Sequence, residues 1–113
     1  DGAKILILGL TFKENCPDLR NTRVVDIVKE FESLNCNVDV YDPWVSRDEA
    51  IRELNIKPII KPIKGKYDAI VLAVAHDELK ALNVAQIRSY GKENHVLYDI
   101  KYLVKANESD GRL

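Results

Sequence analysis

Residues 4–23 read KILILGLTFKENCPDLRNTR, and the order of features along this stretch decides the fold of the whole chain. Ile5-Leu6-Ile7-Leu8 is an apolar run without polar alternation, the pattern of a parallel strand covered on both faces. Gly9 ends the run, and the segment up to Arg23 is a loop that carries Lys13, Arg20 and Arg23. Val24, Val25, Ile27, Val28, Phe31 and Leu34 then recur at helical spacing, with Lys29, Glu30 and Glu32 on the other side, so an amphipathic helix follows. Thr22 or Asn21 is expected to cap it. A cationic loop between a strand end and a helix start is a setting for an anion, because the first N–H groups of the helix are free to face it.

Outward from this stretch the alternation continues. Asn35 and Asn37 flank a turn into a short strand, Val38 to Tyr41, which Asp42-Pro43 stops. A second helix is expected over 46–54, with Ser46 as cap, Glu49 as its capping-box partner, and Ala50, Ile51 and Leu54 facing inward. Pro58-Ile59-Ile60 is at most a short strand. Residues 67–74, YDAIVLAV, repeat the character of the first strand and form the other central one. Short helices near 77–82 and 84–90 lead to a last strand at 95–98, and the polar tail after Lys105 is expected to fray. The sum is an α/β domain: an open, mostly parallel Rossmann-like sheet of about five strands, wound with right-handed crossovers and carrying helices on both faces.

The chain has 113 residues, the size of one domain. With 46% hydrophobic and 31% charged residues and a formal net charge of -1, it has no global field to draw in nucleic acid or acidic membrane, so any anion binding is local. No apolar run approaches the roughly 20 residues of a membrane span, and no basic-then-apolar signal segment opens the sequence, so a cytoplasmic protein is expected. Cys16 and Cys36 form neither a close-spaced metal pair nor a disulfide framework and are expected to be free thiols.

In a sheet of this kind ligands occupy the crevice beyond the carboxyl ends of the strands. Three loops leave from that edge: residues 11–22, residues 42–44, and the segment opening with Asp99-Ile100-Lys101. Lys13, Arg20 and Lys101 are therefore expected on one rim, beside the start of the first helix, where a diphosphate could bind. The loop is not the dinucleotide fingerprint, which needs three glycines in a tight turn where this sequence has Gly9 alone. Asp42 ends the second strand as the ribose-binding acid of NAD sites does, but a turn or capping role before Pro43 is the expected one. Histidine is a residue type suited to acid or base work, yet His76 has no nucleophile near it in sequence, and a structural loop histidine is expected.

The segment Gly9-Leu10-Thr11-Phe12-Lys13, followed by Asn15-Cys16-Pro17-Asp18-Leu19-Arg20-Asn21-Thr22, resembles the carboxy-terminal UDP-binding domain of the UDP-glucose/GDP-mannose dehydrogenase family. Tyr41-Asp42-Pro43 and Tyr98-Asp99-Ile100-Lys101 fall where that domain has counterparts, and the resemblance spans nearly the whole chain. The loop variant is most similar to the branch that oxidises UDP-N-acetylglucosamine or UDP-N-acetylgalactosamine, which includes enzymes of Vi-type and O-antigen polysaccharide synthesis.

The resemblance implies that Phe12 and Lys13 contact the UDP-sugar and that Arg20 reaches toward NAD across a domain cleft. It also implies that Lys101 contacts the UDP-sugar where relatives have arginine, replacing a planar fork with a point charge. The family enzyme oxidises the sugar 6-hydroxymethyl to a carboxylate in two NAD-dependent steps through a cysteine adduct. That cysteine, the main NAD-binding domain and the middle helical region belong to parts not represented here, and Cys16 belongs to the UDP loop. Residues 1–113 are thus expected to be the UDP-sugar-binding portion of a longer, homo-oligomeric dehydrogenase, inactive alone, with neither nucleic acid nor membrane as partner. A free-standing nucleotide-binding α/β module and a dimerisation domain are the alternatives.

Overall fold

The computed structural model describes residues 2–101 and 103–112. Four full strands run parallel: β1 (Lys4–Leu8), β2 (Asn37–Tyr41), β3 (Tyr67–Leu72) and β4 (Gly91–Asp99). The helices are α1 (Val24–Ser33), α2 (Arg47–Leu54), α3 (Asp77–Lys80) and α4 (Val84–Arg88). A two-residue strand, β5 (Gly111–Arg112), adds to the outer edge of β4, giving the order β2-β1-β3-β4-β5. The sheet thus has four real strands and a stub in place of the five expected.

The unbroken apolar run of β1 divides by parity. Ile5 and Ile7 enter one core with Val24 and Val28 of α1 and Ala50 of α2. Leu6 and Leu8 enter the other with Leu79 of α3 and Ile87 of α4. Helices on both faces leave β1 no solvent side, which is why its sequence shows no polar alternation.

Local rules account for most element ends. Ser46 accepts the Glu49 N–H at 3.3 Å and caps α2, and Asn35 and Asn55 take positive φ where α1 and α2 end. The Ncap of α1 is Arg23, with no side-chain cap. Thr22, expected at that position, sits one residue earlier; its hydroxyl accepts the Val24 N–H at 3.2 Å and donates to the Leu10 carbonyl at 2.6 Å, so it staples the helix start to the beginning of the first loop. Ile51, expected inward, is 42% exposed, because α2 turns only Ala50 and part of Leu54 onto the sheet. Residues 58–60 form no strand: Ile59 N–H donates to Val40 at 2.8 Å beside β2, and Ile60 is exposed.

Two further expectations change. The last strand begins at Gly91, not at His95, since Gly91 pairs with Tyr67 across an irregular register before the ladder resumes at Ala69 and Val96. The described part of the tail packs back on the sheet. A 3-10 turn (Ala106–Glu108) returns it to the sheet, and the Asp110 carboxylate accepts the Leu97 N–H at 2.8 Å and two bonds from Arg88 at 3.2 Å. Gly111 lies against the edge of the Tyr98 ring, which a Cβ would strike.

Candidate functional site

The register pairs Leu8 with Tyr41 and with Leu72, and Leu72 with Asp99, so the four strands finish level and their following loops share one edge. At the first loop Gly9 has φ +107°, and a Cβ there would lie 2.6 Å from the Val74 backbone nitrogen. Only glycine lets the chain leave β1 in this direction so close to the loop after β3.

Asp42 organises the loop from the next strand. Its Oδ2 accepts the N–H groups of Leu10 at 2.6 Å and Thr11 at 3.0 Å and lies 2.9 Å from His76 Nε2, while Oδ1 accepts the Trp44 N–H at 2.7 Å. Asp42 therefore has the turn role expected of it and, in addition, clamps the β1 loop. His76 is fully buried, its Nδ1 accepting the Asn15 N–H at 2.9 Å. As expected, it is a structural loop histidine in its hydrogen bonding. Asp99, also buried, plays the corresponding part after β4: its oxygens accept the N–H groups of Lys101, Leu103 and Val104 at 3.0–3.1 Å.

Between these loops and the start of α1 lies a cavity of about 380 Å³. Phe12 and Lys101 line it from opposite loops, Thr22 and Arg23 line it at the helix start, and Val74 and Ile100 supply apolar floor. Its volume is within the usual range for a small-molecule site. Phe12 is 50% exposed, an open aromatic face at the rim. Lys13 is exposed on the same loop but does not line the cavity. Among the described residues neither Lys13 nor Lys101 has a side-chain ion pair, so both charges are available. Arg23 was quoted with the loop cations in the sequence but given no role. Its position at the Ncap of a helix aimed at the crevice is the signal that marks it.

Arg20 does not join this rim, contrary to the expected convergence. It lines a separate cavity of about 500 Å³ with Asp18, Glu49 and Arg52, on the α2 side. Its guanidinium grips Asp18 in a fork, Nε to Oδ1 and Nη2 to Oδ2 at 3.0 Å each, and its N–H donates to the same carboxylate at 2.8 Å. These bonds hold the Asp18 carboxyl below its ordinary range. With the Arg20 side chain 86% exposed, the pair contributes little stability and mainly fixes direction. The physical reason for the separation is the left-handed turn at Asn21, φ +62°, which reverses the chain between Arg20 and the helix start.

Among the described residues no cluster of three metal-ligating side chains occurs, and no helix is long and apolar enough to cross a membrane. Cys16 and Cys36 are free and half-buried.

Residues 6–106 match the model of the UDP-glucose/GDP-mannose dehydrogenase family, UDP binding domain. The chain is 58% identical over 113 residues to a UDP-N-acetyl-D-glucosamine 6-dehydrogenase of Pseudomonas aeruginosa, covering 100% of this chain and 27% of that protein. It is 50% identical, with the same coverage, to the enzyme of that name from Salmonella typhi. Among solved structures, a UDP-D-ManNAc dehydrogenase from Pyrococcus horikoshii matches with a TM-score of 0.71 at 26% identity, over 97% of this chain and 25% of that one. An NDP-N-acetyl-D-galactosaminuronic acid dehydrogenase from Methanosarcina mazei matches with a TM-score of 0.80 at 23% identity, over 96% and 22%, and speaks for the fold alone. The chain spans about a quarter of the length of these relatives. A sheet of this order, a cationic crevice at its carboxyl edge and a match over nearly every residue agree: the chain belongs to the UDP-glucose/GDP-mannose dehydrogenase family, as a UDP-binding domain.

Proposed function

We propose that the chain is the sugar-nucleotide-binding portion of a longer NAD-dependent 6-dehydrogenase, acting on a UDP-N-acetylhexosamine or UDP-glucose to give the uronic acid for polysaccharide synthesis in the cytoplasm. The observation that carries this is the crevice where Phe12 and Lys101 face each other beside the Arg23–Val24 helix start. An aromatic face can hold a uracil by stacking, and the two cations Arg23 and Lys101 suit a diphosphate. Lys13, exposed on the same loop and without an ion pair among the described residues, adds a third charge to the approach. Membership of the family favours this reading over a free-standing module or a dimerisation domain, and the names of the 58% and 50% identical relatives favour an N-acetylglucosamine nucleotide.

For NAD the residues present fit only a supporting contact. Gly9 stands alone in the β1 loop, so no tight glycine turn exists here for a second pyrophosphate. The guanidinium of Arg20, turned away from the crevice and steadied by Asp18, is suited to meet a cofactor held by other parts of a larger enzyme. NAD would supply the hydride acceptor; this chain's residues bind and orient the sugar nucleotide.

Calorimetric titration of the chain with UDP tests the reading. Binding is expected, weakened about tenfold by Lys101→Ala or Lys13→Ala through loss of a charge-assisted hydrogen bond, and unchanged by Arg20→Ala. Equal losses from all three substitutions would refute the division between a nucleotide side and a cofactor side.

A further inference from the structure

Three carboxyl-edge loops meet at one imidazole. His76, from the loop after β3, touches Asp42 from the loop after β2 and both Thr11 and Asn15 from the loop after β1. The bonding pattern fixes where its proton sits. Nδ1 faces the Asn15 N–H at 2.9 Å and so must present a lone pair. The ring proton is therefore on Nε2, which donates to Asp42 Oδ2 at 2.9 Å and lies 3.0 Å from the Thr11 hydroxyl. That hydroxyl donates its own hydrogen bond to the Lys13 carbonyl at 3.1 Å. Both ring nitrogens are thus engaged, with none left over for acid–base work.

The engaged partners are the backbone around Phe12 and Lys13. The Phe12 N–H donates across the loop to the Asp18 carbonyl at 2.7 Å, the Lys13 carbonyl is held by Thr11, and the Asn15 N–H is held by His76. Asn15 has φ +53°, a conformation that needs holding even where asparagine tolerates it. Its side-chain oxygen also accepts the Asp77 N–H at 2.9 Å, so the loop is gripped twice by adjacent residues of the same segment. Trp44 covers the imidazole, with ring centroids 6.1 Å apart and planes at 24°, and is itself anchored by Nε1 donating to Glu78 at 2.9 Å.

We propose that His76, as the neutral Nε2–H tautomer clamped between Asp42 and the Asn15 amide, is the positioning residue that presets the Thr11–Asn15 backbone and so aims Phe12 and Lys13 at the sugar nucleotide. This rests on the reading of those two residues as ligand contacts. His76 touches no ligand in this scheme; it acts through the loop.

Two substitutions divide its roles. His76→Asn can place an acceptor where Nδ1 lies and keep the Asn15 bond while losing the one to Asp42; His76→Gln can place a donor where Nε2 lies and do the reverse. Nitrogen-labelled chain then gives the ring tautomer by long-range proton–nitrogen correlation, the exchange rate of the Asn15 amide, and the affinity for UDP, with thermal unfolding as the check on folding. Expected are an Nε2–H ring, UDP affinity within about twofold of the parent for His76→Asn, and for His76→Gln fast Asn15 exchange with a dissociation constant raised about tenfold, the scale of one buried hydrogen bond. A merely structural histidine would lower the melting temperature of both variants and leave the affinity of the folded chain unchanged, and that result overturns the proposal, as does an Nδ1–H ring. Should His76→Gln fail to fold, loss of UDP affinity by a folded His76→Asn would overturn it, since that variant keeps the decisive bond. Absence of UDP binding by the parent sinks the nucleotide reading instead, while the tautomer and the Asn15 exchange still decide whether His76 sets the loop.

Discussion

Asp42 shows how much one side chain can hold when its position is fixed by a strand end. Four donors converge on its two oxygens, three on Oδ2 and the Trp44 N–H on Oδ1. Asp42→Asn is therefore not conservative: whichever way the amide is turned, its NH₂ meets an N–H donor. A buried polar clash of this kind costs about 1–3 kcal/mol, and the urea midpoint of the variant should fall accordingly. A parental midpoint would show that the hub is dispensable. The turn role of Asp42 is readable from Asp42-Pro43 alone. Its hold on Leu10, Thr11 and His76 is not, because those partners lie 31 to 34 residues away and reach it only through the pairing of β1 with β2 and β3. The same limit hides the reach of His76. Its lack of a neighbouring nucleophile marks it as structural, but only the fold reveals which loop it holds.

The elements divide by how strongly their own residues declare them. β1 and β3 are plain in the sequence, since a strand buried on both faces must be apolar throughout. Asn35 and Ser46 mark helix ends for local reasons of the same strength. The first half of β4, Gly91-Lys92-Glu93-Asn94, has no strand signal, and Lys92 to Asn94 are exposed; its pairing is imposed by Tyr67 and by the turn that brings His95 back on Lys92. The tail is the clearest case. Its composition reads as frayed, yet Asp110 ties it to Leu97 and Arg88. The Leu97 N–H, followed by the Arg88 charge and hydrogen bond, holds the Asp110 carboxyl below its ordinary value of 3.8. Folding therefore favours the carboxylate, and this stabilisation is complete above the ordinary value and lost as pH falls through the lowered one. With the side chain 44% exposed the contribution to global stability is small, so the place to look is local. Below about pH 4 the Leu97 amide should lose protection, measured against its intrinsic exchange rate at that pH, before the rest of β4 does. Asp110→Asn should abolish that acid step, and a variant that still shows it would assign the step to another carboxylate.

For the molecule as a whole, strand order is what builds the site. The chain reverses between β2-β1 on one side and β3-β4 on the other, and the crevice lies above that reversal, as open α/β sheets require. Its location could be expected from the alternation of strands and helices. A separate, cofactor-facing place for Arg20 is implied by the family resemblance but not by the rim convergence read from the strand ends, because the loop turns at a left-handed residue, Asn21. A binding site of this composition holds no nucleophile with a free base beside it: His76 is saturated and Cys16 stands in the loop without one. The chain alone, mixed with UDP-N-acetylglucosamine and NAD, is accordingly expected to generate no NADH absorbance. Turnover above background would refute its assignment as a binding portion only.

Trp44 gives all this a practical side. It is the sole tryptophan of the sequence, it is 37% exposed, and it rests on the His76 ring with its indole N–H on Glu78. Light absorbed by indole in this protein is therefore emitted from the roof of the clamp itself, next to a ring that can quench it. The colour and intensity of that emission report on whether the roof is closed, without dye, label or added probe.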